Sequence, residues 1–306
     1  MNARMALIRL VQGVITAFLV FTVVFFIMRL SGDPTMLFLP PEATQEDMDR
    51  FRHEMGWDRP LVVQYVRYLG DVVRGDFGDS LTYGGSALEI VLERLPATLE
   101  LTALAFILTM IIAIPAGLIA AVKPNAILSQ MVMILALVGQ AMPGFWLGVM
   151  MILLFSVALG VLPTGGRGGV ANLVMPAVVL GSWGAAKITR LTRAGMFEVL
   201  GDDYIRTARG KGVPERVVLF GHALKNALLP VLSALGLTVG AMLGGAIITE
   251  TVFAWPGVGR LIVQSVLKRD FPVVQVATIL LSAIFVVSNL TVDVLYTVVD
   301  PRIRYD

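Results

Sequence analysis

Apolar residues dominate this chain in long unbroken blocks rather than in the short alternations of a soluble fold. Charge-free runs extend over 10–28, 101–122, 124–166, 168–186, 226–249 and 271–292. A helix needs about 20 apolar residues to cross ~30 Å of hydrocarbon, so each run is long enough for one crossing. Helices are the predicted spanning elements, because lipid offers backbone N–H and C=O groups no partner and the period-two alternation of a membrane barrel is absent. The predicted fold class is an all-α integral membrane protein with six transmembrane helices.

The run 124–166 is longer than one span needs and is interrupted by Pro143-Gly144. Charge placement decides how to count it. The segment 187–225 carries Lys187, Arg190, Arg193, Arg206, Arg209, Lys211, Arg216 and Lys225 against Glu198, Asp202, Asp203 and Glu215. Basic loops stay on the cytoplasmic side. Arg4 and Arg9 before the first run, and Arg302 and Arg304 after the last, place both termini there as well. Both ends inside (N-in, C-in) require an even number of crossings, so 124–166 is read as one span centred on 134–159. Residues 1–30 read as an uncleaved first span, because no small-residue cleavage site follows it. Residues 31–100 then form an extracytoplasmic insert, whose Leu61–Val73 stretch has helical spacing and is predicted to be a small cap on the outer face. Residues 101–306 form a core of five spans, with 187–225 as a cytoplasmic loop.

Composition agrees with this reading: 57% of the 306 residues are hydrophobic and 15% are charged, against about 25% charged in soluble domains. The net charge of +2 gives no reason to expect nucleic-acid binding. With no cysteine, disulfides, thiolate metal sites and thiol catalysis are excluded, and two histidines, His53 and His222, do not make a multi-histidine site.

Energy-supplying chemistry is absent by motif. Around Gly210-Lys211 a phosphate-binding loop would need Gly at 205 and Ser or Thr at 212, where Ile205 and Gly212 stand. His53-Glu54 opens a zinc-protease pattern that Trp57 breaks, and no catalytic-serine elbow occurs. No ionisable residue is found in the middle of any run; Glu250 and Asp293 sit at run ends, which removes the usual relay of an ion-coupled transporter. Gln130, Gln140, Ser156, Ser182, Thr238, Ser282, Ser288 and Asn289 are the polar residues available to line a path or to bridge helices. Gly236, Gly240 and Gly244 form one row along the fifth span, a face that admits close approach of another helix, within the chain or across a subunit interface.

The basic loop has its own predicted structure. Asp202-Asp203 cap a helix over Tyr204–Lys211, Gly212 and Pro214 break it, and Glu215–Leu224 forms a second helix with Val217, Val218, Leu219 and Phe220 apolar. Such a hairpin is a docking element or, alternatively, a helix lying on lipid headgroups. On the opposite side, Phe253, Trp255, Pro256 and Gly257 place an aromatic pair on a turn-forming frame. This turn is predicted to form the outer gate or to receive substrate, with a headgroup-level aromatic anchor as the alternative.

The segment DYIRTARGKGVPERVVLFGHALKNALLP, Asp203 to Pro230, resembles the ATPase-coupling loop of the permease subunits of bacterial ATP-binding cassette importers, in their dipeptide, oligopeptide, nickel and glutathione group. Arg206-Thr207-Ala208 stands where the wider superfamily has EAA, Gly212 stands at its glycine, and His222 to Lys225 stand at its end. The departures from EAA are those of the peptide group. The resemblance continues through Gly32-Asp33-Pro34, GDFGDS at Gly75–Ser80, LPTGG at Leu162–Gly166, RLTRAGM at Arg190–Met196, ETVFAWPGVGRL at Glu250–Leu261 and DVLYTVVDPRIRY at Asp293–Tyr305.

The resemblance implies a multi-pass protein of the bacterial inner membrane with the type I importer permease fold. It implies half of a translocation pathway, completed by a second homologous permease. Two cytoplasmic ATPases would bind the ATP and Mg, so this chain would hold no cofactor, and an extracytoplasmic solute-binding protein would deliver the cargo. Asp203, Tyr204, Arg206, Thr207, Ala208, Gly212, Val213, Pro214 and Glu215 would form the ATPase contact. The implied cargo is a dipeptide, oligopeptide or glutathione; nickel or another small solute, a secondary transporter and a structural membrane subunit are the alternatives.

Overall fold

A long apolar helix that must satisfy its own backbone is what the sequence supplies repeatedly, and the structure, a computed structural model, is built from such helices. It describes residues 3–30, 32, 35–40 and 42–299, and side chains for 11–30, 32, 35, 38–40 and 42–291. The elements are α1 (Ala3–Leu30), α2 (Thr35–Phe38), α3 (Gln45–Met55), α4 (Leu61–Val73), α5 (Ala87–Val122), α6 (Ile127–Ala141), α7 (Gly144–Met151), α8 (Val170–Val199), α9 (Asp203–Gly210), α10 (Glu215–Val217), α11 (Leu224–Val252), α12 (Val258–Leu267) and α13 (Phe271–Val299). Two π-helical turns, Ile152–Ala158 and Val218–Ala223, extend α7 and join α10 to α11. Among the described residues there is no strand, only an isolated bridge between Asp79 and Ser86.

Five helices are long and apolar enough to span a membrane, and a bent pair, Ile127–Ala141 with Gly144–Ala158, supplies a sixth crossing if taken together. The pair meets at 108° because Pro143 has no N–H to continue the helical ladder. Helix directions show that the bent pair crosses rather than turns back. Glu100 is ion-paired to Arg167 (2.7 Å), Thr109 Oγ1 donates to Gly181 O (3.1 Å), and a Cβ on Gly117 would lie 2.6 Å from Thr192 Cβ. These contacts make α5 and α8 parallel, so the chain between them must return to the side where α5 began.

α5 and α8 form the most extensive helix pair. Their seam is made of small residues, among them Ala97, Ala105, Gly117, Ala177 and Gly181, which let the backbones approach where lipid provides no hydrophobic drive. α11 runs antiparallel beside α8, with Gly195 against the Ala227 carbonyl at one end and Gly245 against Leu180 at the other. α13 packs between α11 and α1, where Gly13 admits Val286. The exposed faces of α1 (Val14, Phe18, Ile27) and α6 (Leu128, Ile134, Leu135) are apolar, as lipid requires.

Several boundaries differ from the sequence reading. α5 is continuous from Ala87, not from residue 101: Glu89, Glu93, Arg94 and Glu100 end the charge-free run but do not break the helix, which they leave on its exposed side. α8 stays helical through Val199, well past Lys187 where its run ends. The second arm of the hairpin does not stop at Leu224. It passes through the π-turn, where Gly221 sits, directly into α11, with no proline between Glu215 and Pro230. In the outer insert, Tyr65 of α4 hydrogen-bonds Thr22 Oγ1 of α1 at 2.8 Å and stacks with Phe26, and Tyr68 stacks on Phe21. Thr22 lies eight residues inside α1, about 12 Å along the helix. α4 therefore lies along the flank of the span, deeper than a cap resting on the outer face. The terminal arginines Arg302 and Arg304 and the PRIRY end of the last motif lie outside the described residues, as do Asp33 and Pro34.

Candidate functional site: the cytoplasmic hairpin, the outer turn and the face between them

At the cytoplasmic end the hairpin is seated by its apolar side. Ile205, Val218, Ala223 and Ala227 are buried with Leu118 and Ala121 of α5 and Met196 of α8, and Ala208 and Val213 pack against them. Gly212 provides the reversal: its φ of +75° is a left-handed conformation that costs a side chain about 1–2 kcal/mol, and its N–H donates to Arg209 O at 3.0 Å. Arg209 forks onto both oxygens of Glu215 at 3.1 and 2.7 Å, clamping the two arms across the Val213-Pro214 turn. Asn226 Nδ2 donates to the Tyr204 hydroxyl at 2.7 Å, and Thr207 Oγ1 returns its proton to Asp203 O at 2.9 Å. Arg206 is exposed beside Asp203.

With this underside fixed, the hairpin presents apolar side chains outward. Phe220 is 59% exposed, Val217 48% and Tyr204 40%. The exposed Phe220 thus stands on a frame held by a buried core and an ion-pair clamp.

At the opposite end the structure places Phe253 and Trp255 in the interior, each at most 1% exposed. The Trp255 indole donates to Ala97 O at 2.8 Å and lies among Leu101, Leu173 and Met242. The Arg167 guanidinium lies 5.9 Å from its ring. Phe253 is stitched to the LPTGG loop, where Gly166 N–H donates to Phe253 O at 2.8 Å. Pro256 and Gly257 turn the chain into α12. Sequence reasoning missed the centre of this end, Glu250, whose side chain is fully buried. Its carboxyl group accepts from Thr98 Oγ1 (2.6 Å) and from the backbone N–H of Arg260 (2.9 Å) and of Gly259, and so caps the start of α12. A Cβ on Gly257 would collide with that carboxyl group, which is why glycine stands there. The signal available in the sequence was an acid directly before a turn that ends in a Gly-Val-Gly helix start.

Between the two ends the glycine row divides. A Cβ on Gly240 would run into the Phe285 ring of α13, so Gly240 serves a contact inside the chain. Gly236 is buried, whereas Gly244 meets nothing within 4 Å and is exposed. Gly244 belongs to a stripe of α11 with Leu237, Ala241 and Ile248, all exposed, which no helix covers among the described residues. Beside that stripe, the break at Pro143 opens a cavity of about 370 Å³ between the bent pair, α8 and α11, lined by Met142, Trp183, Gly184, Ile248 and Thr249 among others.

The family described as "Binding-protein-dependent transport system inner membrane component" matches residues 113–305, and its N-terminal companion matches residues 3–102. The chain is 41% identical to the oligopeptide transport system permease protein AppB of Bacillus subtilis, over 92% of this chain and 93% of that one. It is 42% identical to the glutathione transport system permease protein GsiC of Escherichia coli K12, over 97% of each. Among solved structures, the inward-facing MetNI methionine ABC transporter aligns with a TM-score of 0.56 at 20% identity, covering 69% of this chain and 96% of that one, a likeness of fold. With several membrane spans, a seated hairpin on one side and a matching family over nearly its whole length, the chain belongs to the inner membrane components of binding-protein-dependent transport systems, and is a multi-pass permease subunit.

Proposed function

We propose that this permease forms half of the translocation pathway of an ATP-driven importer for peptides, the dipeptide, oligopeptide or glutathione class. The names of its relatives support the cargo class, and the exposed Phe220, Val217 and Tyr204 on a clamped hairpin support an ATPase docking site. In this reading a second homologous permease covers the Gly244 stripe. Two cytoplasmic ATPases bind ATP and Mg and seize the hairpins, and a binding protein delivers cargo to the outer face. ATP-driven closure of the ATPases draws the two hairpins together and rotates the spans as rigid bodies, opening the path outward. The turn Phe253–Gly257 moves with α5 and α11 as part of the outer gate, since Trp255 and Glu250 fasten it to both.

The observation that carries the reading is the hairpin. Because the chain has no cysteine, Phe220→Cys gives a single thiol whose disulfide cross-linking to a cysteine introduced in the co-expressed ATPase reports contact directly. The expected result is a cross-link that responds to ATP, and loss of ATPase co-purification in Phe220→Asp. A hairpin that stays uncross-linked, with Phe220→Asp retaining full uptake and ATPase association, would reject the docking role.

A further inference from the structure

Lys187 ends a charge-free run and so reads as part of a cytoplasmic loop, but its neighbours in space place it elsewhere. α8 is an unbroken helix from Val170 to Val199. Three residues before Lys187, a Cβ on Gly184 would touch Thr238 and Met242 of α11 and Thr109 of α5. The adjoining contacts, Gly117 with Thr189 and Thr192, and Gly195 with Ala227, fix the register on both sides. By interpolation Lys187 stands level with the middle of the 101–122 run of α5 and the middle of the 226–249 run of α11. It is the one charged side chain at that level among the described residues. A charge at such depth is costly and marks a pathway or a partner.

No carboxylate lies within ion-pair distance of Lys187 among the described residues. Its Nζ instead sits 5.6 Å from the centre of the Trp183 ring. Trp183 is a wall of the cavity at the Pro143 break and is itself 44% exposed toward the uncovered stripe of α11. The cavity walls are otherwise apolar, with Ser182 and Thr249 hydroxyls already committed to the carbonyls of Val179 and Gly245. Its volume suits a side chain with its backbone at the entrance, not a whole oligopeptide. Arg190, one turn further along the same side of α8 and exposed, continues positive charge toward the cytoplasm.

We propose that Lys187 is a carboxylate-binding residue of the transport path, receiving the C-terminal carboxylate of a peptide whose apolar side chain enters the cavity beside Trp183. This rests on the peptide-importer reading above and adds to it the part of the cargo that is recognised. A half-buried ammonium held against an aromatic face is poised for an anion, and a charge-assisted hydrogen bond supplies selectivity that apolar walls cannot. The carboxylate is assigned to the cargo because Trp183, against which the Lys187 ammonium sits, is a wall of the cavity; an acid of the second permease is the other source of the same chemistry, and the yield of complex tells the two apart.

The test uses the intact importer, with its permeases, ATPases and binding protein, in proteoliposomes, and the probes Ala-Leu-Ala and Ala-Leu-Ala amide. Lys187→Gln is expected to lower uptake of the free acid about tenfold, the scale of one charge-assisted hydrogen bond. Uptake of the amide should change less than twofold, Lys187→Arg should restore most free-acid uptake, and the yield of complex should be unaltered. Free-acid uptake at the wild-type rate in Lys187→Gln, or equal losses for acid and amide, would overturn the inference alone. A fall in complex yield reversed by Lys187→Arg would assign the ammonium to an acid of the second permease and overturn it too. If the wild-type importer takes up neither peptide while its ATPase responds to binding protein, the peptide reading fails, and this inference with it.

Discussion

The two ends of the core handle polar and apolar groups in opposite ways. At the outer end the turn after α11 is folded inward: Trp255 is buried with its N–H on Ala97 O, and Glu250 collects a hydroxyl and two backbone N–H groups. At the cytoplasmic end the frame is satisfied by Arg209 and Glu215, and the aromatic side chain, Phe220, is left in the open. Internal satisfaction makes a rigid fastening, whereas an unspent apolar surface is what the proposed docking role requires. One continuous helical path, Glu215 to Val252, carries both Phe220 and Glu250.

That contrast breaks most visibly at Glu250. Glu250→Leu strands the Thr98 hydroxyl and the N–H groups of Gly259 and Arg260, an expected loss of about 3 kcal/mol or more, read as a lower Tm of the purified complex. Trp255→Ala should cost about 3–5 kcal/mol by leaving a cavity in the core. An unchanged Tm in both variants would remove the idea of a fastened outer end. The glycine row sharpens the comparison further. Gly240→Leu must displace Phe285 and should cost ~1–3 kcal/mol within the isolated chain. Gly244→Leu should leave the isolated chain unaffected and lower only the yield of the permease pair. Equal behaviour of the two glycines would mean that the open stripe has no partner. At the hairpin, Gly212→Ala is expected to cost about 1 kcal/mol from its left-handed backbone and to lower ATP-coupled uptake while preserving membrane insertion. The smallest effect belongs to the insert: Thr44→Ala removes the capping box with Asp47 at the start of α3, about 1 kcal/mol, seen as faster amide exchange in α3 alone.

Much of the fold was legible because lipid imposes long apolar runs, and the hairpin was legible because Gly212, Pro214 and the basic residues punctuate it. What the runs did not reveal is depth. A charge ends a run wherever it falls, so Lys187 read as a loop residue although its helix continues for three more turns between apolar neighbours. Glu89 and Glu93 likewise concealed the true start of α5. Trp255 and Phe253 read equally well as an outer gate or as a headgroup-level anchor, because aromatic residues near a turn do not name the helices that receive them, and the receiving residues of α5 and α8 lie far away in the sequence. Glu250 was visible only as an end of a run, since its partners Thr98 and Arg260 are brought to it by the fold.

The uninterrupted helical path from Glu215 to Val252 has a mechanical meaning. Its 38 residues extend about 57 Å, the full thickness of the bilayer and beyond. A stiff lever of that length needs little travel at its driven end: a tilt of about 10° about one end moves the other by roughly 10 Å. The π-turn at Val218–Ala223 and Pro230 are where such a lever can flex. Stiffening them, for instance by replacing Pro230 with alanine, would lengthen the rigid arm that carries motion from the ATPase side to the latch at Glu250.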